Sequence, residues 1–234
     1  MKKFLEARWQ DLIMVNYEVD PALLADLVPA ATELDLEDGR CYVSLVGFMF
    51  LDTRVLGFLI PFHINFEEVN LRFYVKRRVG DEVRRGVVFI KELVPRFAIA
   101  SIARLLFEEP YSTAEMWNKR EGGRFEYGWK VDGTTNVIGI TRGAPAGVPA
   151  EGSHASFIIE HYWGYTKLAS GNTNEYRVEH PKWEMFEPRD VKIDVNFGKV
   201  YGDKFAFLGD TQPYSVLFAA GSEVAVFMGK SIDT

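Results

Sequence analysis

Cysteine is nearly absent: Cys41 is the single one in 234 residues. It can make no internal disulfide and supplies no ligand pair for a metal, so a reducing, cytoplasmic setting is expected. Its strand neighbours Tyr42 and Val43 make it buried packing rather than a nucleophile. Long apolar runs are also missing, since nothing approaches the ~18 residues of a membrane-spanning helix. At the start of the sequence Glu6 and Arg8 interrupt the apolar residues after Lys2 and Lys3, so no secretory signal is expected. Positive charge is in deficit: 27 Lys and Arg against 33 Asp and Glu give a net −6, which disfavours a nucleic acid partner. Neither Ser112 nor Ser156 lies in a Gly-x-Ser-x-Gly turn, and no glycine-rich phosphate loop follows a strand and opens a helix.

Histidine is scarce too. His63, His154, His161 and His180 include no His-x-His pair, and zinc needs three or four ligands in one place. Neither a metal nor a cofactor is expected. His161 and His180 lie among aromatic residues, and histidines so placed can serve as metal ligands or as acid–base groups near neutral pH. They are read as hydrogen-bonded structural groups with no assigned role, and His180 before Pro181 as an extended turn residue.

What is present is apolar and aromatic, 47% and 14% of residues, enough for the core of one large domain over 1–234. β-branched and aromatic runs predict ten strands: Arg40 to Leu51, His63 to Lys76, Gly86 to Leu93, Arg124 to Val131, Asn136 to Arg142, Ser153 to Glu160, Glu175 to Glu179, Val191 to Val195, Tyr214 to Ala219 and Glu223 to Met228. The Gly/Pro-rich stretch Gly143 to Gly152 reads as a loop between strands. Helical signals are few. Asp20-Pro21 caps a short helix ending before Pro29, Phe97 to Phe107 reads as a buried helix, and Phe197 to Leu208 is a weaker third candidate. Ala114 to Met116 reads as a short restart after the Pro110 turn. So many strands in one chain must hide their edges. The expected fold is mainly β (α+β), a closed cone-like antiparallel barrel with a few flanking helices.

The segment from His63 to Lys76 carries the chemistry. Strand side chains alternate, so Val69, Leu71, Phe73 and Val75 share an apolar face, while Glu68, Asn70, Arg72 and Tyr74 share the other. Such a polar row either meets water or lines a polar cavity, and alternation alone leaves both open. Lys91 alternates with Val87, Phe89 and Leu93. It either lies activated on an apolar face or reaches to water at a strand end.

Taken together, Trp9-Gln10-Asp11-Leu12 with Asn16, Asn65 to Val75, Gly86-Val87-Val88-Phe89, Ala103-Arg104, Pro110-Tyr111 with Ala114, Tyr162-Trp163 and His180-Pro181-Lys182-Trp183 resemble the YqjF-like family of uncharacterised bacterial proteins. That family is placed in the acetoacetate decarboxylase-like superfamily. The resemblance implies a cone-like barrel and aligns Glu68 with a carboxylate of the relatives' strand motif. It also aligns Arg104 and Pro110 with an Arg and a Pro that precede two lysines, one of them the Schiff-base group. Tyr111 and Ser112 stand where those lysines would be, and neither can form an imine.

Three readings follow. In one, the cavity binds a small organic acid or carbonyl compound without turnover, through Glu68, Asn70, Arg72, Arg104 and Tyr111. In another, Glu68 and Tyr111 are the catalytic pair of a lyase or hydrolase acting by acid–base chemistry. In the third, side chains fill the barrel and the protein works through contacts with partners or with copies of itself.

Overall fold

The computed structural model describes residues 2–60, 64–95 and 108–232. Its elements run β1 (Lys3–Val19), a 3-10 turn (Pro21–Leu24), β2 (Glu33–Leu34), β3 (Cys41–Val55), β4 (Phe58–Leu59), β5 (Phe66–Val79) and β6 (Glu82–Val94). Then come β7 (Tyr111–Thr113), β8 (Glu115–Glu121), β9 (Arg124–Val131), β10 (Thr134–Gly147), α1 (His154–Ile159), β11 (Trp163–Lys167) and β12 (Thr173–Glu179). β13 (Met185–Asp194), α2 (Phe197–Tyr201), a 3-10 turn (Asp203–Gly209), β14 (Ser215–Phe227) and β15 (Lys230–Ile232) complete it.

Backbone pairing closes on itself. β1 pairs with β3, β3 with β5, β5 with β6, β6 with β11, β11 with β12, β12 with β14, and β14 with β1 again. All these pairs are antiparallel except β6–β11, which is parallel. Closure removes the free edges that so strand-rich a chain would otherwise present. β14 also pairs with β13, and β10, β9 and β8 follow in order as a second curtain of strands.

Two apolar layers result. Ile13, Val43, Leu45, Val69, Leu71 and Phe73 pack with Tyr127, Trp129, Ile138 and Phe197, filling the space between the ring's outer face, the second curtain and α2. Met14, Val46, Phe48, Phe50, Phe66 and Val87 belong to the other layer, on the inner face of the ring. The Val69, Leu71, Phe73 and Val75 face therefore looks outward into the first layer, and the polar row looks inward.

Several sequence expectations are corrected. Ser153 to Glu160 is not a strand: the Ser153 hydroxyl accepts from the Ser156 amide at 3.2 Å and caps α1. The cap outweighs the β-leaning Phe157-Ile158-Ile159 run. Tyr214 to Ala219 and Glu223 to Met228 belong to one strand, β14, which passes Gly221 at φ 83°. Strand β10 runs on to Gly147, inside the expected loop, and the restart at Ala114 to Met116 leads into β8. β1 and β11 were not expected at all. β1 carries Glu6, Arg8, Gln10, Asp11 and Asn16, which break the apolar pattern. Asp20 does cap a single turn, its carboxylate accepting from the Ala22 amide at 2.8 Å, but the turn is 3-10. The expected helix from Phe97 to Phe107, and Arg104 with it, lies outside the described residues, as does His63.

Candidate functional site

Inside the ring lies a cavity of about 130 Å³. Its wall is largely aromatic and aliphatic, with Trp9, Phe48, Phe50, Phe89 and Trp183 among the lining residues. Polar groups converge on it from few elements, the usual make-up of a small-molecule site. Glu68, Asn70 and Arg72 come from β5, Glu92 from β6, Tyr111 from β7 and Tyr176 from β12. Glu109 and His161 reach in from the segments flanking β7 and β11.

Glu68 is buried and held from two sides. Asn70 Nδ2 donates to its Oε1 at 2.9 Å, and the Tyr111 hydroxyl donates to Oε2 at 3.1 Å. Burial pushes its carboxyl up to about 7, against the pull of Asn70, Tyr111 and the Arg72 charge. Glu109 accepts from Thr166 at 2.6 Å and from Tyr176 at 2.9 Å, and burial raises it to about 7 as well. Glu92 lies well above the usual carboxylate range, through burial first and then the Glu68 and Glu109 charges. Three carboxyls so placed titrate as a cluster: burial holds the proton on Glu92, while Glu68 and Glu109 exchange theirs around neutral pH.

Arg72 is the counterpoint. Arg72 shares a strand face with Glu68, yet among the described residues it makes no ion pair, and its buried Nε has no acceptor. Its guanidinium lies over the Tyr74 ring, 5.8 Å from the centroid. Tyr74 itself does not line the cavity. Its hydroxyl meets Ser44 Oγ at 2.6 Å and its ring packs on His161.

His161 is buried with Nε2 at 3.2 Å from Asp35, which leaves Nδ1 without a partner. Burial depresses it to about 4 despite Asp35, so the ring is neutral at pH 7 and Nδ1 offers a lone pair. Against the cost of burial, hydrogen bonds from His161 and from Arg85, at 2.6 Å, hold the Asp35 carboxyl down to about 2, and Lys76 lies 3.6 Å away. His180 is not a plain turn residue. It stacks on Trp183 with ring centroids 4.2 Å apart and forms part of the cavity wall.

Lys91 points away from the cavity, and its Nζ donates to the Val200 carbonyl at 2.8 Å. The reason is a β-bulge: Leu71 pairs with Lys91 while the next residue, Arg72, pairs with Phe89. The extra residue flips the alternation. Val87 and Phe89 face the cavity, Ile90 and Lys91 turn outward, and Glu92 faces in. Strict alternation from Val87 would put Lys91 on the inner face and Glu92 on the outer one, and so gave no sign of Glu92. Glu109 and Tyr176 carried no periodic signal, being fixed by contacts distant in sequence. Among the described residues no group of three or more His, Cys, Asp or Glu is arranged to hold a metal ion. Nor, among them, is any helix long and apolar enough to cross a membrane.

A model of the family DUF2071, described as an uncharacterized conserved protein, matches residues 6–223. The uncharacterized protein YqjF of Bacillus subtilis (strain 168) is 28% identical over 193 residues, which cover 80% of this chain and 77% of YqjF. Among solved structures, the enduracididine biosynthesis enzyme MppR complexed with pyruvate superposes with a TM-score of 0.71 at 14% identity, covering 100% of this chain and 91% of MppR. Acetoacetate decarboxylase of Legionella pneumophila gives 0.69 at 12% identity, over 99% of this chain and 88% of that one. An acetoacetate decarboxylase-like enzyme from Sphingomonas wittichii RW1 gives 0.63 at 16% identity, over 100% and 95%. The fold is acetoacetate decarboxylase-like.

Proposed function

The chain belongs to the DUF2071 family, and from that premise we propose that its barrel cavity binds a small organic acid, such as a carbonyl compound that carries a carboxylate, without imine chemistry. The observation that carries this reading is Arg72, a guanidinium at the cavity wall that has no ion pair among the described residues. Burial raises its three carboxyl neighbours, which weakens the negative charge they set against it. A carboxylate that enters gains a charge-assisted pair with Arg72, and protonated carboxyls and Tyr111 donate to its other oxygens.

Size narrows the class. A cavity of 150 Å³ holds benzene, so about 130 Å³ suits a ligand of about six heavy atoms. A three-carbon 2-oxo acid has that size, and pyruvate is the ligand named with MppR. No lysine lines the cavity among the described residues, and the stretches 61–63 and 96–107 contain none. That supports chemistry without an imine. A turnover reading also has support, because Glu68 and Glu109 near 7 are poised to exchange protons.

Thermal unfolding with pyruvate, and with acetone as the uncharged control, tests the proposal. Pyruvate at a hundred times its Kd should add about 2.7 kcal/mol of stability, a rise of several degrees, while acetone leaves Tm unchanged. Borohydride added with acetoacetate should leave the protein mass unaltered. Equal responses to pyruvate and acetone, or a reduced adduct on a lysine, would overturn it.

A further inference from the structure

Away from the cavity, three groups align in a way that neither the fold nor the proposed ligand requires. Glu37 Oε2 lies 2.6 Å from His154 Nδ1, and His154 Nε2 lies 2.7 Å from Ser215 Oγ. All three are partly accessible: Ser215 begins β14 half-buried, and the His154 and Glu37 side chains are 22% and 15% exposed. We propose that Ser215, His154 and Glu37 form a nucleophilic triad, with Ser215 reactive toward esters of small carboxylic acids.

The hydrogen bonds fix the direction of each proton. A carboxylate only accepts, so Nδ1 carries the proton that faces Glu37, and Nε2 is left as an acceptor for the Ser215 hydroxyl. Asn16 sets the same sense from the other side. Ser44 donates to its Oδ1 at 2.6 Å, which orients Nδ2 as a donor to Ser215 Oγ at 2.9 Å. The serine oxygen is thus a donor to histidine and an acceptor from asparagine, which fixes the direction of its hydroxyl proton. Tyr214 and Tyr42 hold the His154 ring edge-on, with centroids 4.9 and 5.1 Å away. A nucleophile, a base within hydrogen-bond reach and a third group orienting that base satisfy the geometric criterion for activation.

The chemistry balances with water as the co-substrate. Ser215 Oγ attacks the ester carbonyl carbon while its proton passes to His154 Nε2. The carbon–alkoxy bond then breaks, and the leaving alcohol takes that proton. Water repeats the sequence on the acyl-serine, releasing the carboxylic acid and restoring the serine hydroxyl. No oxidant or metal enters. Sequence inspection did not point here: Ser215 follows Pro213-Tyr214 rather than a nucleophile turn, and Glu37 and His154 are 117 positions apart.

A fluorophosphonate probe followed by peptide mapping tests this on the intact chain. The expected result is one adduct, on Ser215, with p-nitrophenyl acetate hydrolysis that Ser215→Ala removes. His154→Gln should slow labelling by about 100-fold or more, the usual contribution of a positioned base. Glu37→Gln, which keeps a hydrogen-bonding side chain, should slow it by a smaller factor and covers the case in which the histidine variant fails to fold. No adduct, an adduct elsewhere, or labelling at the wild-type rate in either folded variant would overturn the triad. None of these outcomes bears on Arg72, so this inference and the cavity reading fail separately.

Discussion

At the scale of single residues, the inner carboxyls make a prediction about pH. In the unfolded chain a glutamate titrates near 4.5, whereas Glu68 and Glu109 reach about 7 in the fold and Glu92 goes well above the ordinary range. Between those limits the native state binds more protons than the unfolded one, so stability falls as pH rises. Each proton contributes a slope of about 1.4 kcal/mol per pH unit. His161 acts in the other direction, since its depression to about 4 costs stability only as pH falls below 6.5. Above pH 7 the remaining slope belongs mainly to Glu92. Urea midpoints should therefore drop between pH 7 and 8.5 in the wild type, and Glu92→Gln should flatten that drop. A slope unchanged in the variant would show that Glu92 is not held protonated. Glu68, Asn70 and Arg72 were legible as a row because alternation marks a face. That Glu68 is held by Asn70 and not by Arg72 was not legible, because ion pairing depends on where long side chains end.

Elements explain most of what the sequence concealed. A single bulge beside Arg72 exchanges Lys91 for Glu92 at the cavity wall, and bulges leave no periodic trace in a run such as Val87 to Leu93. α1 was hidden by β-branched residues, and its cap lies in one hydroxyl, Ser153. The β11–β12 hairpin offers a direct test of how elements position the site. A Cβ on Gly164 would overlap the Tyr176 ring, whose hydroxyl holds Glu109. Gly164→Ala must displace that ring, at a cost of about 1–3 kcal/mol for overpacking. The expected outcome is a lower Tm together with weakened pyruvate binding. An alanine variant equal to wild type in both would show that Tyr176 does not brace the cavity.

For the whole molecule, the strand-rich pattern was enough to expect a sheet that hides its edges, and the pairing circuit from β1 round to β14 meets that expectation. The seams were not legible. β6–β11 and β12–β14 each join through two residue pairs, too little to mark a sequence, yet they enclose the inner wall. Burial within that wall raises the carboxyls, and under the proposed reading Arg72 is the charge that receives an anion. Because Arg72 has no ion partner among the described residues, its removal should leave no stranded counter-charge, and stability should change by about 0.5–1 kcal/mol rather than the roughly 3–5 kcal/mol of a broken buried pair. Calorimetric titration of pyruvate into wild type and Arg72→Met, with unfolding followed on the same samples, is accordingly the most direct measurement. One pyruvate per chain should bind the wild type, and binding should vanish in Arg72→Met while its Tm stays close to wild type. Equal affinity in the two proteins, or no heat in either, would contradict a cavity that takes its ligand through Arg72.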